Sequence, residues 1–77
     1  MIKTKEYAIL NANYKEADGS EVMFTSQDKN EIVDYLKMIN ADDDTKCIEC
    51  YYVDEDGDFC EGSDFDTPSN FMRRHAI

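Results

Sequence analysis

Basic residues are scarce in this chain, and that scarcity is the first constraint on what it binds. Eighteen Asp and Glu stand against eight Lys and Arg, for a formal charge of −10 over 77 residues. A body of that sign is repelled by nucleic acid and anionic membrane, and is drawn to basic protein surfaces or to cations. Histidine is nearly absent: His75, in the terminal segment, is the only one. There is no nucleophile elbow and no glycine-rich phosphate loop. We therefore expect no enzymatic activity and no cofactor. No apolar run approaches the ~20 residues a bilayer needs, and MIKTKEYAIL lacks the apolar region of a secretion signal. A soluble, cytoplasmic protein is expected. The three cysteines are an odd number without the density of a secreted disulfide framework, which predicts reduced thiols.

What is present is concentrated. The stretch Asp42–Asp66, DDDTKCIECYYVDEDGDFCEGSDFD, holds eleven of the acids and one base, Lys46, and so carries −10 by itself. Residues 1–41 carry −2, and residues 67–77 add +2 through Arg73 and Arg74. The net charge belongs to one stretch, and function is sought there.

A chain this short is expected to form one domain over residues 1–77, burying about 60% of the surface its unfolded form exposes. Lys5–Lys15 reads as a strand, with Tyr7 and Ile9 on one face and Ala8, Leu10, Ala12 and Tyr14 on the other. Asp18-Gly19 supplies the positive φ of a hairpin turn, and Glu21–Thr25 returns as a second strand. A helix is expected over Lys29–Asn40. Asp28 would cap it, Glu31 would complete a capping-box pattern, and Ser26 is an alternative cap. Ile32, Tyr35, Leu36 and Ile39 form its apolar stripe, and Asn40 is its left-handed stop.

Lys46–Val53 reads as a third strand, and Phe59–Glu61 as a short fourth after the Asp-Gly turn at Asp56-Gly57. Thr67-Pro68 opens a short terminal helix ending in Arg73, Arg74 and His75, where basic residues offset the helix dipole. The order ββαββ plus a short helix predicts an α+β domain, with a mainly antiparallel four-stranded sheet and one amphipathic helix packed on it.

Cys47 and Cys50 have CxxC spacing, and Cys60 and His75 lie downstream, so a Cys3His zinc set can be written. In a strand, however, positions three apart face opposite sides, whereas zinc pairs sit on turns that aim both sulfurs at one ion. No zinc site is expected. Asp54-Glu55-Asp56-Gly57-Asp58-Phe59-Cys60-Glu61 resembles part of the DxDxDGxxCE signature of the Excalibur calcium-binding motif. Asp54, Asp56, Gly57, Cys60 and Glu61 fall on matching positions, while Tyr52 stands where the first Asp should be. The resemblance covers about ten residues and implies calcium as ligand. An EF-hand frame from Asp54 would put Phe59 and Phe65 where Gly and Glu belong.

The remaining reading is a displayed negative surface. Strand residues two apart on one face are separated by roughly 6.6 Å, and a duplex carries one charge per ~1.7 Å of axis. The expected partner-binding residues are Asp42, Asp43, Asp44, Glu49, Asp54, Glu55, Asp56, Asp58, Glu61, Asp64 and Asp66. Tyr51, Tyr52 and Phe59 interleave with them, as does Phe65, as aromatic anchors. The expected function is non-enzymatic: binding of a basic, nucleic-acid-binding protein surface, as an inhibitor or DNA/RNA mimic. In size and charge the chain is similar to small acidic phage and mobile-element proteins, anti-CRISPR proteins among them. The alternative is a calcium-binding or purely structural accessory domain.

Overall fold

Alternation along the first strand divides the molecule into two sides. The computed structural model of the chain describes residues 2–75. In β1 (Thr4–Leu10), Tyr7 and Ile9 turn toward the helices, while Ala8 and Leu10 turn to the opposite face, the division expected from their spacing. The other elements are β2 (Val22–Ser26), α1 (Lys29–Met38), β3 (Cys47–Val53), β4 (Phe59–Asp66) and α2 (Pro68–His75). The four strands form one antiparallel sheet in the order β2-β1-β3-β4. The architecture is α+β, with β1 and β3 central and β2 and β4 at the edges.

Two segments depart from the expected boundaries. β1 stops at Leu10, beyond a register shift between Ile9 and Leu10, and residues 14–16 form a short 3-10 turn instead of more strand. Asn13 caps that turn, its Oδ1 accepting from Lys15 N at 2.9 Å. β1 and β2 are therefore joined by a folded loop and not by a tight hairpin. Gly19, at φ 77°, still supplies the positive φ in that loop. β4 runs to Asp66, five residues beyond its expected end, and register shifts opposite Cys50–Val53 fit it to β3.

Local capping places the helices. Asp28 Oδ1 accepts from Asn30 N at 2.8 Å and caps α1. Glu31 does not reach back to the cap backbone. Instead it accepts from the Ser26 hydroxyl at 2.6 Å, and Ser26 Oγ itself accepts from Asp28 N at 3.0 Å. One serine, able to donate and accept, takes over the return bond of the capping box. At the other end Asn40 adopts φ 51°, and Ala41 N and Asn40 N donate to Leu36 O and Lys37 O, the paired closure of a Schellman motif. Thr67 caps α2, its Oγ1 accepting from Asn70 N at 3.2 Å.

Both helices cover the same face of the sheet. Ile9, Ile32, Leu36, Ile48 and Phe71 are fully enclosed between the layers, and Phe71 meets Tyr7 edge-on at 5.3 Å between ring centroids. The buried side of α1 also takes in Val33, while Tyr35 and Ile39 are only half-buried, because α1 packs on α2 as well as on the sheet. On the opposite face no helix lies among the described residues. A smaller cluster of Ala8, Leu10, Ala17 and Cys47 is closed there by the β1–β2 loop and by Tyr51. Among the described residues no helix is long and apolar enough to cross a membrane.

Candidate functional site

The acidic stretch is divided by the strand that runs through it. Asp42–Asp44 precede β3 and Asp54–Asp58 follow it, so a seven-residue strand, roughly 20 Å long at ~3.3 Å per residue, separates them. The two runs of carboxylates lie at opposite ends of the sheet.

At the first end the aspartates are partly consumed by the fold. Asp42 accepts from the backbone and hydroxyl of Thr45, and the Thr45 hydrogen bond holds its carboxyl below the usual range. Asp43 Oδ1 accepts from Ser69 N, in the first turn of α2, at 2.9 Å. Its backbone carbonyl accepts from Asn13 Nδ2 at 3.3 Å. Asp44 is exposed, and its carboxylate takes no hydrogen bond among the described residues.

At the other end the β3–β4 hairpin tip is organised by Asp54. Its Oδ1 accepts from Asp56 N at 2.9 Å and Asp58 N at 3.0 Å, and Gly57 takes φ 85° between them. Carboxylate oxygens of Asp54, Asp56 and Asp58 lie within 4.8 Å of one another. Asp56 and Asp58 are exposed, and so is Glu55, which accepts from Ile2 N at 3.3 Å. Asp54 Oδ1 is the acceptor that closes the turn.

The strand acids face both ways. Asp64 pairs with Cys50 and Asp66 with Ile48, on the side of the sheet that the helices cover. Asp66 is bonded to Arg74, and its Oδ1 also accepts from Thr67 N at 2.9 Å. Glu61 pairs with Lys3, whose ammonium it holds above its ordinary value. That ammonium sits 5.6 Å from the centroid of the Tyr52 ring. No evenly spaced array of carboxylates forms along β3 and β4.

Glu49, by contrast, lies on the face without helices, with Tyr51 beside it on β3 and Phe59, Ser63 and Phe65 on β4. Ser63 Oγ donates to Glu49 Oε2 at 2.7 Å. The Tyr51 hydroxyl donates to Glu6 on β1, and burial, then the Glu6 carboxylate, pushes the phenol well above its usual range. Phe59 and Phe65 remain 61% and 44% exposed. A groove of about 440 Å³ opens on this face between Phe65, Glu49 and the β1–β2 loop. Sequence reasoning missed Glu6, Ser63, Leu10, Tyr14 and Val22 as parts of this surface. Alternation assigns each residue a side within its own strand, but strand order decides which of them become neighbours.

The cysteines do not converge. Cys47 belongs to the cluster on the open face and Cys50 packs against the helix-side core, as strand spacing requires. Burial pushes both thiols above their usual range, away from the thiolate form that attacks or ligates. Burial lowers the His75 imidazole as well, and its ring lies tilted against Phe71 at 4.5 Å between centroids.

The class defined by these observations is a small two-layer α+β protein with an acidic hairpin tip and one bare sheet face. Comparison with known proteins goes no further: no family model matches the chain, and neither the curated proteins nor the solved structures gave a match.

Proposed function

We propose that this protein is a non-enzymatic binder of a basic protein surface, one of the kind that holds DNA or RNA, and that it acts as an inhibitor by occupying that surface. The observation that carries the reading is the unpaired, outward charge. Among the described residues two ion pairs form, Lys3–Glu61 and Arg74–Asp66, while Glu55, Asp56 and Asp58 at the tip and Asp64 on the edge strand are exposed without a cationic partner. Charge left unpaired on a body this small opposes its own compact state, and a basic partner relieves that repulsion. The likeness to small acidic anti-defence proteins of phage and mobile elements is one of size and charge.

The test compares two charge-matched variants. In one, Glu55, Asp56 and Asp58 become Gln or Asn; Asp54 is kept because it closes the turn. In the other, the exposed Glu16, Glu21 and Asp34 are neutralised. Partner captured from a lysate on the wild-type protein and identified by mass spectrometry is then used in association kinetics. The tip variant is expected to associate more slowly, with a shallower salt dependence, because steering acts on the association rate. Nucleic acid is expected to compete with the protein for the partner. Equal binding by both variants, or simultaneous binding of nucleic acid and protein, rejects the proposal.

A further inference from the structure

The face of the sheet without helices holds a groove whose chemistry is more specific than the charge of the tip. Leu10 and Ala17, both buried, line it. Phe65, Tyr14 and Val22 line it too, at 44%, 45% and 53% exposure. Glu49 reaches it from β3. Its Oε2 is occupied by the Ser63 hydroxyl, and its Oε1 takes no hydrogen bond among the described residues. Asp18 adds a second carboxylate and Lys15 one base. A half-buried carboxylate is thus set among exposed aromatic and aliphatic side chains on a face that no helix covers among the described residues.

We propose that this groove seats an arginine side chain of a basic partner segment. The chemistry selects that occupant. Guanidinium offers planar donors to a carboxylate oxygen and stacks on aromatic rings, whereas an ammonium is a compact, strongly hydrated point charge. The arginine stem is apolar enough to lie over Leu10 and Val22. An anionic ligand is disfavoured by Glu49 and Asp18. A second copy of this chain would bring −10 against −10. Phe59 and the Tyr51 ring continue the aromatic strip from the groove toward the hairpin tip, so a segment anchored here runs on to the acidic tip. The groove as an arginine site stands on its own residues; taking the segment from a nucleic-acid-binding protein rests on the function proposed above.

The probe is the blocked peptide acetyl-Gly-Arg-Gly-Arg-Gly-amide, titrated into the 15N-labelled full chain and followed by amide shifts. Saturable shifts are expected at Leu10, Val22, Glu49 and Phe65. The lysine peptide is expected to bind more weakly, and the neutral citrulline peptide not to shift these residues. Glu49→Gln keeps the size and the bond to Ser63, and is expected to weaken binding about tenfold, the scale of one charge-assisted hydrogen bond. Phe65→Ala, at an exposed position, is expected to weaken it severalfold, and the amide spectrum of each variant reports its fold. Shifts centred on residues 54–58, or wild-type affinity in Glu49→Gln, overturn the groove. Concentration-dependent shifts of the same residues without peptide do so too, by making a second copy the occupant. If the groove fills but nucleic acid does not compete with the captured partner, the groove stands and the nucleic-acid-surface reading falls. If competition holds and the groove stays empty, the reverse is true.

Discussion

Asp43 Oδ1 accepts from the backbone nitrogen of Ser69, 26 residues further on, at 2.9 Å. A residue that looks in the sequence like part of a displayed charge run is instead a tie between the α1–β3 linker and the first turn of α2. A carboxylate there satisfies an otherwise unpartnered N–H and faces the positive end of the helix dipole. Asp43→Ala is expected to cost about 1 kcal/mol, the usual loss for a cap. Asp44→Ala removes a carboxylate that takes no hydrogen bond among the described residues, and should stay within about 0.5 kcal/mol of wild type. Urea unfolding of the two variants decides; equal midpoints would mean the Asp43 bond contributes nothing.

Features decided by neighbours in the chain were legible. The cap at Asp28, the left-handed stop at Asn40, the Thr67-Pro68 start and the division of Tyr7 and Ile9 from Ala8 and Leu10 each depend on a few adjacent residues. What was not legible depends on the strand order. Glu6 meets Tyr51 only because β1 lies beside β3, and Glu49 meets Ser63 across β4. The length of β4 was hidden for a related reason. Gly62 and Asp64 have low strand propensity, and an edge strand tolerates them because one of its sides faces solvent. The candidate site was legible as a composition of acids, but not as a surface, since β3 sends its two charge runs to opposite ends.

The hairpin tip carries a direct electrostatic prediction. The carboxylates of Asp54, Asp56 and Asp58 lie within 4.8 Å of one another, and the net charge of the chain is strongly negative. Raising ionic strength from low to moderate values shortens the screening length to about 8 Å, so the melting temperature should rise. Replacing Asp56 and Asp58 with Asn should also raise stability, by about 0.2–0.5 kcal/mol for each like-charge contact removed. Calcium should not substitute for this, because Tyr52 stands where the calcium motif has its first Asp, and Phe59 and Phe65 stand where an EF-hand has Gly and Glu; no saturable site tighter than about 10⁻³ M is expected. Micromolar calcium affinity in calorimetry, lost in Asp56→Ala, would reverse this expectation and favour the calcium-binding alternative.

Two groups make stability fall with acidification. Burial, with smaller repulsion from Lys29, Arg74 and Lys5, holds the His75 imidazole below its ordinary value. The unfolded chain therefore takes up the proton first, and stability is lost as pH falls below about 6.5. Asp42, lowered by its Thr45 hydrogen bond, contributes stability above its unfolded value of about 3.9 and loses it below. Melting temperature should decline modestly between pH 7.5 and 5.5, and His75→Gln should flatten that decline. Identical profiles for wild type and variant would remove His75 from the account.

Thiol chemistry tests the two faces of β3 directly. Cys47 is fully enclosed beside Ala8, Leu10 and Ala17, whereas Cys50 lies across the strand against the helix-side core. A zinc ion needs each sulfur at about 2.3 Å, which a strand cannot supply from opposite sides. Elemental analysis of purified protein should therefore find no stoichiometric zinc. One zinc per chain, lost in Cys47→Ser or Cys50→Ser, would mean that β3 is rearranged in solution. Pulsed alkylation followed by peptide mass mapping adds an order to this. Cys60 is half-exposed on the edge strand β4 and should label first. Cys50 should follow more slowly, because burial pushes its thiol up and so reduces the reactive thiolate. Cys47 should label only through opening of the fold, so its rate should rise with urea in step with unfolding. Labelling of Cys47 at the rate of Cys60 in the absence of denaturant would show that the β1–β2 loop does not close the open-face cluster, and the floor of the proposed arginine groove would be lost with it.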